Sequence, residues 1–160
     1  MEKITPHLWY DKEAKEAAMN FYVSVFRDAK VGDIMRYGKG AAPDQPDTIA
    51  HASFTLEGQQ FAAMDSARKH NFSFNEAISF VVRCANQEEI DYYWNKLSAD
   101  PKTEQCGWLK DKFGVSWQIV PTVMDEMMAS KDQAKVARVT AAFLQMKKFD
   151  IAALTRAYEG

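Results

Sequence analysis

Residues 4–10 alternate between two sets of side chains, which would lie on opposite faces of an extended chain. Ile4, Leu8 and Tyr10 belong to one set, and His7 and Trp9 belong to the other. A period of two predicts a β-strand with one face against the core. Asp11 then stands where the N-cap of a helix is expected. The helix is indicated by apolar residues at helical spacing, namely Ala14, Ala17, Ala18, Phe21, Tyr22 and Val25.

Three more strands are predicted after this helix, which gives the first half the order β-α-β-β-β. The segment 38–47 contains several Gly and Pro residues and is predicted to be a loop. The strand patterns cover residues 31–37, 48–57 and 60–64.

The same order begins again in the second half of the chain. A strand pattern at 77–84 precedes Asn86, which forms a capping-box-like helix start with Glu89. Two further strands are predicted at 105–109 and 116–120. Phe21-Tyr22 of the first half align with Tyr93-Trp94 of the second, so the chain contains a degenerate internal repeat.

After Pro121 the pattern becomes helical and rich in methionine. Asp150 is expected to cap a last short helix. Methionine suits both core packing and adaptable interfaces, so the stripe is either part of the core or a face that docks on a partner subunit. Its members are Met124, Met127, Met128, Val136, Val139, Phe143 and Leu144.

Composition and charge limit the possible partners. The 160 residues carry a net charge of −2 and 47% hydrophobic residues, which is enough for a packed core and offers no basic surface for nucleic acid or anionic lipid. No apolar run approaches the roughly 20 residues of a membrane span. The two cysteines, Cys84 and Cys106, are too few for a disulfide framework and indicate a cytoplasmic protein.

Five segments resemble the PhnB-like family, many of whose members are labelled 3-demethylubiquinone 3-methyltransferase, within the vicinal oxygen chelate (glyoxalase/bleomycin-resistance) superfamily. They are ITPHLWYD at 4–11, AAMNFYVSVF at 17–26, FNEAISFVV at 74–82, QCGWLKDKFGVSWQIVPT at 105–122 and LQMKKFDIAAL at 144–154.

This resemblance implies an α+β fold of tandem βαβββ modules with a C-terminal helical extension. Module 1 is expected at 3–66, module 2 at 75–121 and the helical tail at 122–160. Modules of this size are marginal alone, so one domain is expected. The resemblance also implies a homodimer, which in some relatives exchanges modules between chains.

The same resemblance implies that helices cover one face of each sheet while the other face lines a pocket. Ile4, Leu8, Phe54, Phe80, Val82, Trp117 and Ile119 are expected to face the helices. His7, Trp9, His51, Ser53, Ser79, Arg83, Ser116 and Gln118 are expected to face the pocket. A mostly apolar wall with a few polar groups is typical of small-ligand sites.

Metal-dependent relatives use a His/Glu cage, and the resemblance places His7, Ala62 or Met64, Ser79 and Gln118 at its positions. Only His7 is a strong ligand, Gln118 is a neutral oxygen donor, and His51 can help only if the sheet brings it close. The prediction is therefore no tightly bound metal and no cofactor. If a divalent metal is bound, His7 and Gln118 are its expected ligands.

Several residues keep two interpretations. His7 is either a structural residue, whose ring nitrogens are satisfied by Ser79, Gln118 or water, or a functional one, as a hydrogen-bonding contact to a ligand or a general base. Arg83 holds an anionic group of a ligand or forms an ion pair at the strand end. Cys106 is expected to be an inert, packed thiol, and His70 to be an exposed loop residue, although Phe72 and Phe74 could close over the pocket.

Acidic side chains are expected to have structural roles only. Asp65, Glu76 and Asp111 are predicted to be turn or cap residues at solvated edges.

Three functions are consistent with the sequence. The first is binding of a small organic molecule in a concave sheet cavity, without a tightly bound metal. The second is a metal-dependent isomerase, transferase or lyase. The third is the methyltransferase of the family label, which is disfavoured because the close glycine pair Gly38 and Gly40 lies in a loop that opens no helix, unlike a nucleotide-binding turn.

Overall fold

The structure, a computed structural model, describes residues 3–12, 14–38, 40 and 48–160, leaving aside the side chains of residues 15–17. Most of the loop predicted at 38–47 therefore lies outside the described residues. The chain divides into two units, Met1–Ser73 and Phe74–Gly160. These are the N-terminal unit and the C-terminal unit, and the boundary between them follows Ser73.

The N-terminal unit is a four-stranded sheet with a helical segment after its first strand. The spatial order is β1-β4-β3-β2, with β1 parallel to β4 and the other pairs antiparallel. Its elements are β1 (His7–Tyr10), a π-helical stretch (Lys15–Phe21), α1 (Tyr22–Val25), β2 (Ala29–Arg36), β3 (Ile49–Leu56) and β4 (Gln59–Asp65).

One face of this sheet packs on the helical segment. Phe54 of β3 stacks on Phe61 of β4 with ring centroids 5.2 Å apart, and Tyr22 lies 6.3 Å beyond Phe54. The alternation predicted for β1 holds for Leu8, which is buried. Ile4 is 86% exposed because β1 begins only at His7, so the expectation that Ile4 faces the helices is wrong.

Asp65 connects the helical segment to the sheet. Its carboxylate accepts the amide N–H of Ala14 at 2.7 Å and that of Ile49 at 3.1 Å, and the residue is buried. The expectation of a solvated turn residue is wrong for Asp65. Because an amide at a helix start otherwise lacks a partner, this distant carboxylate fixes the helical segment onto the sheet.

The C-terminal unit repeats this topology with one strand fewer. Its three-stranded sheet has the order β5-β7-β6, again with the first strand parallel to the last. Its elements are β5 (Ser79–Cys84), α2 (Gln87–Leu97), β6 (Trp108–Lys110), β7 (Ser116–Pro121), α3 (Val123–Met128), α4 (Gln133–Phe143) and α5 (Ile151–Glu159).

A turn stands where the N-terminal unit has its edge strand. Asp100 accepts the amide of Lys102 at 3.0 Å through its carboxylate and the hydroxyl of Thr103 at 2.8 Å through its carbonyl. Pro101, at the centre of this turn, has no N–H to offer a strand ladder. The capping box of α2 is confirmed, since Asn86 accepts the amide of Glu89 at 2.9 Å.

Asp111 organises the turn between β6 and β7. Its carboxylate accepts the amides of Phe113 (2.9 Å) and Val115 (3.0 Å) and the indole N–H of Trp117 (2.9 Å). Like Asp65 it is buried, so the expectation of a solvated edge is wrong here as well.

The helical tail belongs to the C-terminal unit and is tied to the turn before β6. The amides of Cys106 and Gly107 donate to the carbonyls of Met146 (2.8 Å) and Lys147 (2.7 Å). A Cβ at Gly107 would collide with the ring of Phe149, and the φ of Gly107 is +80°. The turn therefore needs glycine for both conformation and close approach.

The tail confirms the predicted cap at Asp150, whose carboxylate accepts the amide of Ala153 at 2.8 Å. In the methionine stripe Met124 and Met127 are buried, which favours the core interpretation, whereas Met128 is exposed. Among the described residues, no helix is both long and apolar enough to cross a membrane.

Candidate functional site

The open face of each sheet is the face opposite its helices, and it carries the predicted site residues. In the N-terminal sheet these are His7, Trp9, His51 and Ser53. In the C-terminal sheet they are Ser79, Arg83 and Gln118, together with Ser116.

The centre of the N-terminal open face is a pair of imidazoles. His7 on β1 and His51 on β3 meet edge to face across β4, with ring centroids 5.7 Å apart and ring planes at 85°. The residue of β4 paired with His7 is Ala62, and its small side chain leaves room for this approach. The condition that the sheet brings His51 close to His7 is met.

The environment of His7 favours the neutral imidazole. Partial burial lowers the pKa of His7 below the ordinary 6.5, and the nearby His51 lowers it further. At neutral pH one ring nitrogen can therefore accept a hydrogen bond while the other donates.

Three aromatic rings continue this open face beyond His7. The ring of Phe72 lies parallel to that of His70 with centroids 3.8 Å apart, and Trp9 meets Phe72 at 4.9 Å and His70 at 5.5 Å. His70 is half-buried rather than exposed as predicted. Neither of its ring nitrogens has a hydrogen-bond partner among the described residues. Phe72 thus forms a wall with Trp9, and the closure of Phe72 and Phe74 over a pocket stays a prediction.

Ser53 has a structural partner on the same face. Its Oγ accepts the amide N–H of Asp33 at 2.9 Å in the irregular part of β2. A Cβ at Gly32 would collide with this oxygen. A cavity of about 410 Å³ adjoins Ser53, with Lys30, Thr55 and Gln60 in its lining. The Ser53 hydroxyl still has its own proton to donate to a ligand.

The C-terminal open face holds a second polar pair. The side-chain amide of Gln118 donates to Ser79 Oγ at 2.8 Å. Both side chains are half-buried, so they satisfy each other and still reach the surface of the face. A common site with His7 stays a prediction.

Arg83 forms an exposed ion pair with Asp125 at the end of β5. This matches the ion-pair interpretation of Arg83. An exposed pair of this kind contributes little to stability and can be exchanged for another anion.

Sequence reasoning missed a cavity of about 340 Å³ beside β6. Cys106, Trp108, Lys110 and Ser116 contribute to its lining, and Lys110 Nζ lies 2.5 Å from a carboxylate oxygen of Glu76. Cys106 is half-buried at this cavity rather than packed in a strand as predicted, with a φ of +50°. The alternation around Leu109 places Trp108 and Lys110 on the open face. This alternation is the sequence signal from which the cavity could have been predicted.

The described residues do not complete a metal cage. Within the described residues no three His, Cys, Asp or Glu side chains converge as metal ligands. Catalytic zinc sites ordinarily use three protein ligands, and the two imidazoles of the N-terminal face supply two neutral nitrogens. The His/Glu cage implied by the sequence resemblance is therefore not reproduced by these donors.

A sheet whose first and last strands pair in parallel, with a helix covering one face, occurs in both units and agrees with a glyoxalase-like fold. The family model for 3-demethylubiquinone-9 3-methyltransferase matches residues 2–120. The chain belongs to this family, which includes the PhnB-like proteins.

Solved structures agree with this assignment. The PhnB protein from Bacillus cereus carries the same family name and is 40% identical, covering 76% of this chain and 100% of its own, with a TM-score of 0.65. Protein PA1353 from Pseudomonas aeruginosa is 20% identical over 76% of this chain and 98% of its own, with a TM-score of 0.60.

The fosfomycin resistance protein FosX from Mesorhizobium loti is 13% identical over 81% of this chain and 100% of its own, with a TM-score of 0.51. At these identities the last two show the fold alone. No curated protein sequence matches the chain.

Proposed function

We propose that this protein is a cytoplasmic binder of a small organic molecule, which lies against the N-terminal open face without a tightly held metal. The observation that carries the proposal is the His7–His51 pair, 5.7 Å apart, beside the aromatic wall of Trp9 and Phe72. A large apolar surface next to a few hydrogen-bonding groups is the usual make-up of a ligand site.

The aromatic wall supplies the apolar part of this site. Trp9 is 42% and Phe72 50% exposed, so both rings offer their surface to a ligand. Large exposed aromatic groups in contact with one another are uncommon unless they serve an interaction. A ligand that covers them would gain the free energy of burying that apolar area.

The imidazole pair supplies the polar part. A neutral His7 can accept a hydrogen bond from an O–H or N–H group of the ligand. We propose ligand contact rather than general-base catalysis, because no described carboxylate joins the two imidazoles to orient them and stabilise an imidazolium. The preferred ligand is therefore a neutral or mildly anionic molecule with an aromatic part and a hydrogen-bond donor.

The test is an NMR titration that follows the indole N–H signals of the chain. Trp9 lies at the proposed site, whereas Trp94 and Trp117 are buried and Trp108 lies in the C-terminal unit. We expect p-cresol to shift the Trp9 signal saturably, and 4-methylanisole, which has no hydroxyl proton, to bind more weakly. Equal binding of the two, or no saturable shift of Trp9, would overturn the proposal.

The second candidate is a metal-dependent isomerase, transferase or lyase. The observation in its favour is that the two imidazoles lie close enough to face a common ion. We expect elemental analysis of protein purified without tag or chelator, followed by Ni²⁺ and Mn²⁺ titration, to show substoichiometric metal. One tightly bound metal per chain, lost in His7→Ala, would establish this candidate instead.

The third candidate, a methyltransferase, rests on the family name. Calorimetry with S-adenosylmethionine tests it, and we expect no saturable heat. Saturable binding would reverse that expectation.

We further propose that the chain forms a homodimer. Ile78 is 74% exposed and Val81 of β5 is 49% exposed, and apolar side chains of this size on one edge favour a covering partner. Light scattering coupled to size exclusion should give twice the mass of the chain. A monomer mass at high protein concentration would contradict this.

A further inference from the structure

Ser116 lies at the centre of the C-terminal sheet and has an unsatisfied hydroxyl. The residue is 1% exposed, and its Oγ has no hydrogen-bond partner among the described residues. Buried hydroxyls almost always have a partner, because the loss of hydrogen bonds to water is otherwise uncompensated. Ser116 is one of the residues that line the 340 Å³ cavity beside β6, so a ligand in this cavity can supply the missing partner.

An ion pair lies beside this hydroxyl. The strand register pairs Ser116 with Lys110 on one side and with Ser79 on the other. Lys110 Nζ contacts Glu76 at 2.5 Å. Lys110 and the unsatisfied hydroxyl therefore lie on neighbouring strands of the same open face.

The two members of the ion pair differ in exposure. The Lys110 side chain is 22% exposed, whereas that of Glu76 is 62% exposed and precedes β5 in the chain. Glu76 can turn into water with its charge fully solvated, but Lys110 keeps its need for an anion at the cavity. Another anion can therefore exchange with Glu76.

The rest of the cavity wall is mostly apolar, with Trp108, Leu109 and Cys106 in it. Thr103 and Gln105 also line it, but the Thr103 hydroxyl donates to the Asp100 carbonyl and the Gln105 side-chain amide donates to the Leu144 carbonyl. An apolar wall next to one cation and one hydroxyl donor selects a molecule with a hydrophobic body and a single anionic end. A neutral ligand would leave Lys110 paired with Glu76, and a cationic ligand would separate Glu76 from Lys110.

We propose that this cavity is a second ligand site, for a small apolar or aromatic monocarboxylic acid. The ligand carboxylate replaces Glu76 on Lys110 Nζ and accepts a hydrogen bond from Ser116 Oγ, while the hydrophobic body packs against Trp108. The site lies wholly within the C-terminal unit and is independent of the function proposed for the N-terminal face.

The test is an NMR titration of the full chain with benzoate, followed through the Trp108 indole signal. Benzamide and benzylamine serve as matched neutral and cationic probes. We expect benzoate to bind saturably and more tightly than either analogue, and its affinity to fall with added salt.

Three variants distinguish specific binding of the carboxylate from non-specific apolar binding in the cavity. Lys110→Met should weaken benzoate binding at least about tenfold and Ser116→Ala about fivefold, from the usual strengths of charged and neutral hydrogen bonds. Glu76→Gln should strengthen binding, because the competing carboxylate is gone. Glu76 is exposed, so this last variant is informative even if a substitution at Ser116 disturbs folding.

Lys148→Met is the matched control, since it breaks an exposed ion pair with Asp91 in the same unit (2.6 Å) outside the cavity. It should leave benzoate binding unchanged. Unchanged binding in Lys110→Met, weaker binding in Glu76→Gln, preferred binding of benzylamine, or no saturable shift of Trp108 would each overturn the proposal. The Trp9 signal reports on the N-terminal face separately, so failure of one site is distinguishable from failure of the other.

Discussion

His7 and His51 lie on strands that are not neighbours, yet their imidazole rings are 5.7 Å apart and perpendicular. The intervening strand presents Ala62 to His7, and a larger residue there would separate the rings. The pair makes the chemistry of this face sensitive to pH, because partial burial and the nearby His51 together lower the pKa of His7.

The first prediction concerns the titration of His7. Its ring proton should titrate with a midpoint below 6.5, because burial and His51 both disfavour the imidazolium. His51→Gln should move the midpoint upward but not fully restore it, since burial is the larger cause. NMR of the histidine ring protons measures both, and a midpoint above 6.5 in the wild type would contradict the account.

The same shift makes stability depend on pH. The folded state has the lower pKa, so the unfolded chain binds more protons as pH falls below 6.5, and the free energy of unfolding decreases through that window. Urea unfolding of the wild type and His7→Gln at several pH values tests this. The free energy of unfolding of the wild type should fall relative to that of His7→Gln as the pH decreases from 7 towards 5. This relative decrease should stop once the pH is below the pKa of His7 in the folded state.

The second prediction concerns the buried carboxylate of Asp111. Asp111→Ala removes three hydrogen bonds within the C-terminal unit and should lower the free energy of unfolding by about 2–4 kcal/mol, since buried amide and indole donors are left unpaired. Asp100→Ala is the matched control, because Asp100 also accepts an amide two residues ahead but is exposed. Its cost should be below about 1 kcal/mol. Equal losses in urea unfolding would show that burial is not the cause.

The third prediction concerns Gly107. Gly107→Ala adds a methyl group against Phe149 at a left-handed φ, so it should cost more than about 2 kcal/mol and loosen the tail. Gly114→Ala shares the left-handed φ but meets open space and should cost about 1 kcal/mol. Thermal unfolding compares the two, and a milder effect at Gly107 would contradict the contact with the tail.

The fourth prediction concerns the two thiols. Burial, with a smaller contribution from Glu89, raises the pKa of Cys84 to about 12, so this residue should resist alkylation in the folded state. Cys106 is half-buried at a cavity and should react first. Iodoacetamide labelling read by mass spectrometry should give one adduct in the native wild type and none in Cys106→Ser. Rapid labelling of Cys84 in the native chain would contradict its burial.

The sequence predicted the strands and helices well where a single periodic pattern was unbroken. The alternation around Leu8 and Phe54, the capping box at Asn86 and the cap at Asp150 depend only on residues close in the chain. The βαβββ order that the resemblance implied for the second module predicts one strand more than the C-terminal unit has. The turn at Asp100 and Pro101 takes the place of that strand, and this local turn chemistry is visible in the sequence.

The site was harder to predict because its contacts join distant strands. Asp65 accepts an amide 51 residues away, and no local pattern distinguishes such a carboxylate from a solvated turn residue. The approach of His51 to His7 depends on the order of strands and on the small side chain of Ala62. The Lys110–Glu76 pair likewise joins residues from separate parts of the chain, and the strand register places Ser116 beside Lys110.

The most direct test of the central claim is the ratio of p-cresol dissociation constants for His7→Gln and the wild type, followed at the Trp9 indole signal. If a neutral His7 accepts a hydrogen bond from the ligand's hydroxyl group, the ratio should be at least about fivefold, and Trp108→Phe should leave the affinity unchanged. A ratio of one, or an equal loss in Trp108→Phe, would contradict ligand binding at the N-terminal face.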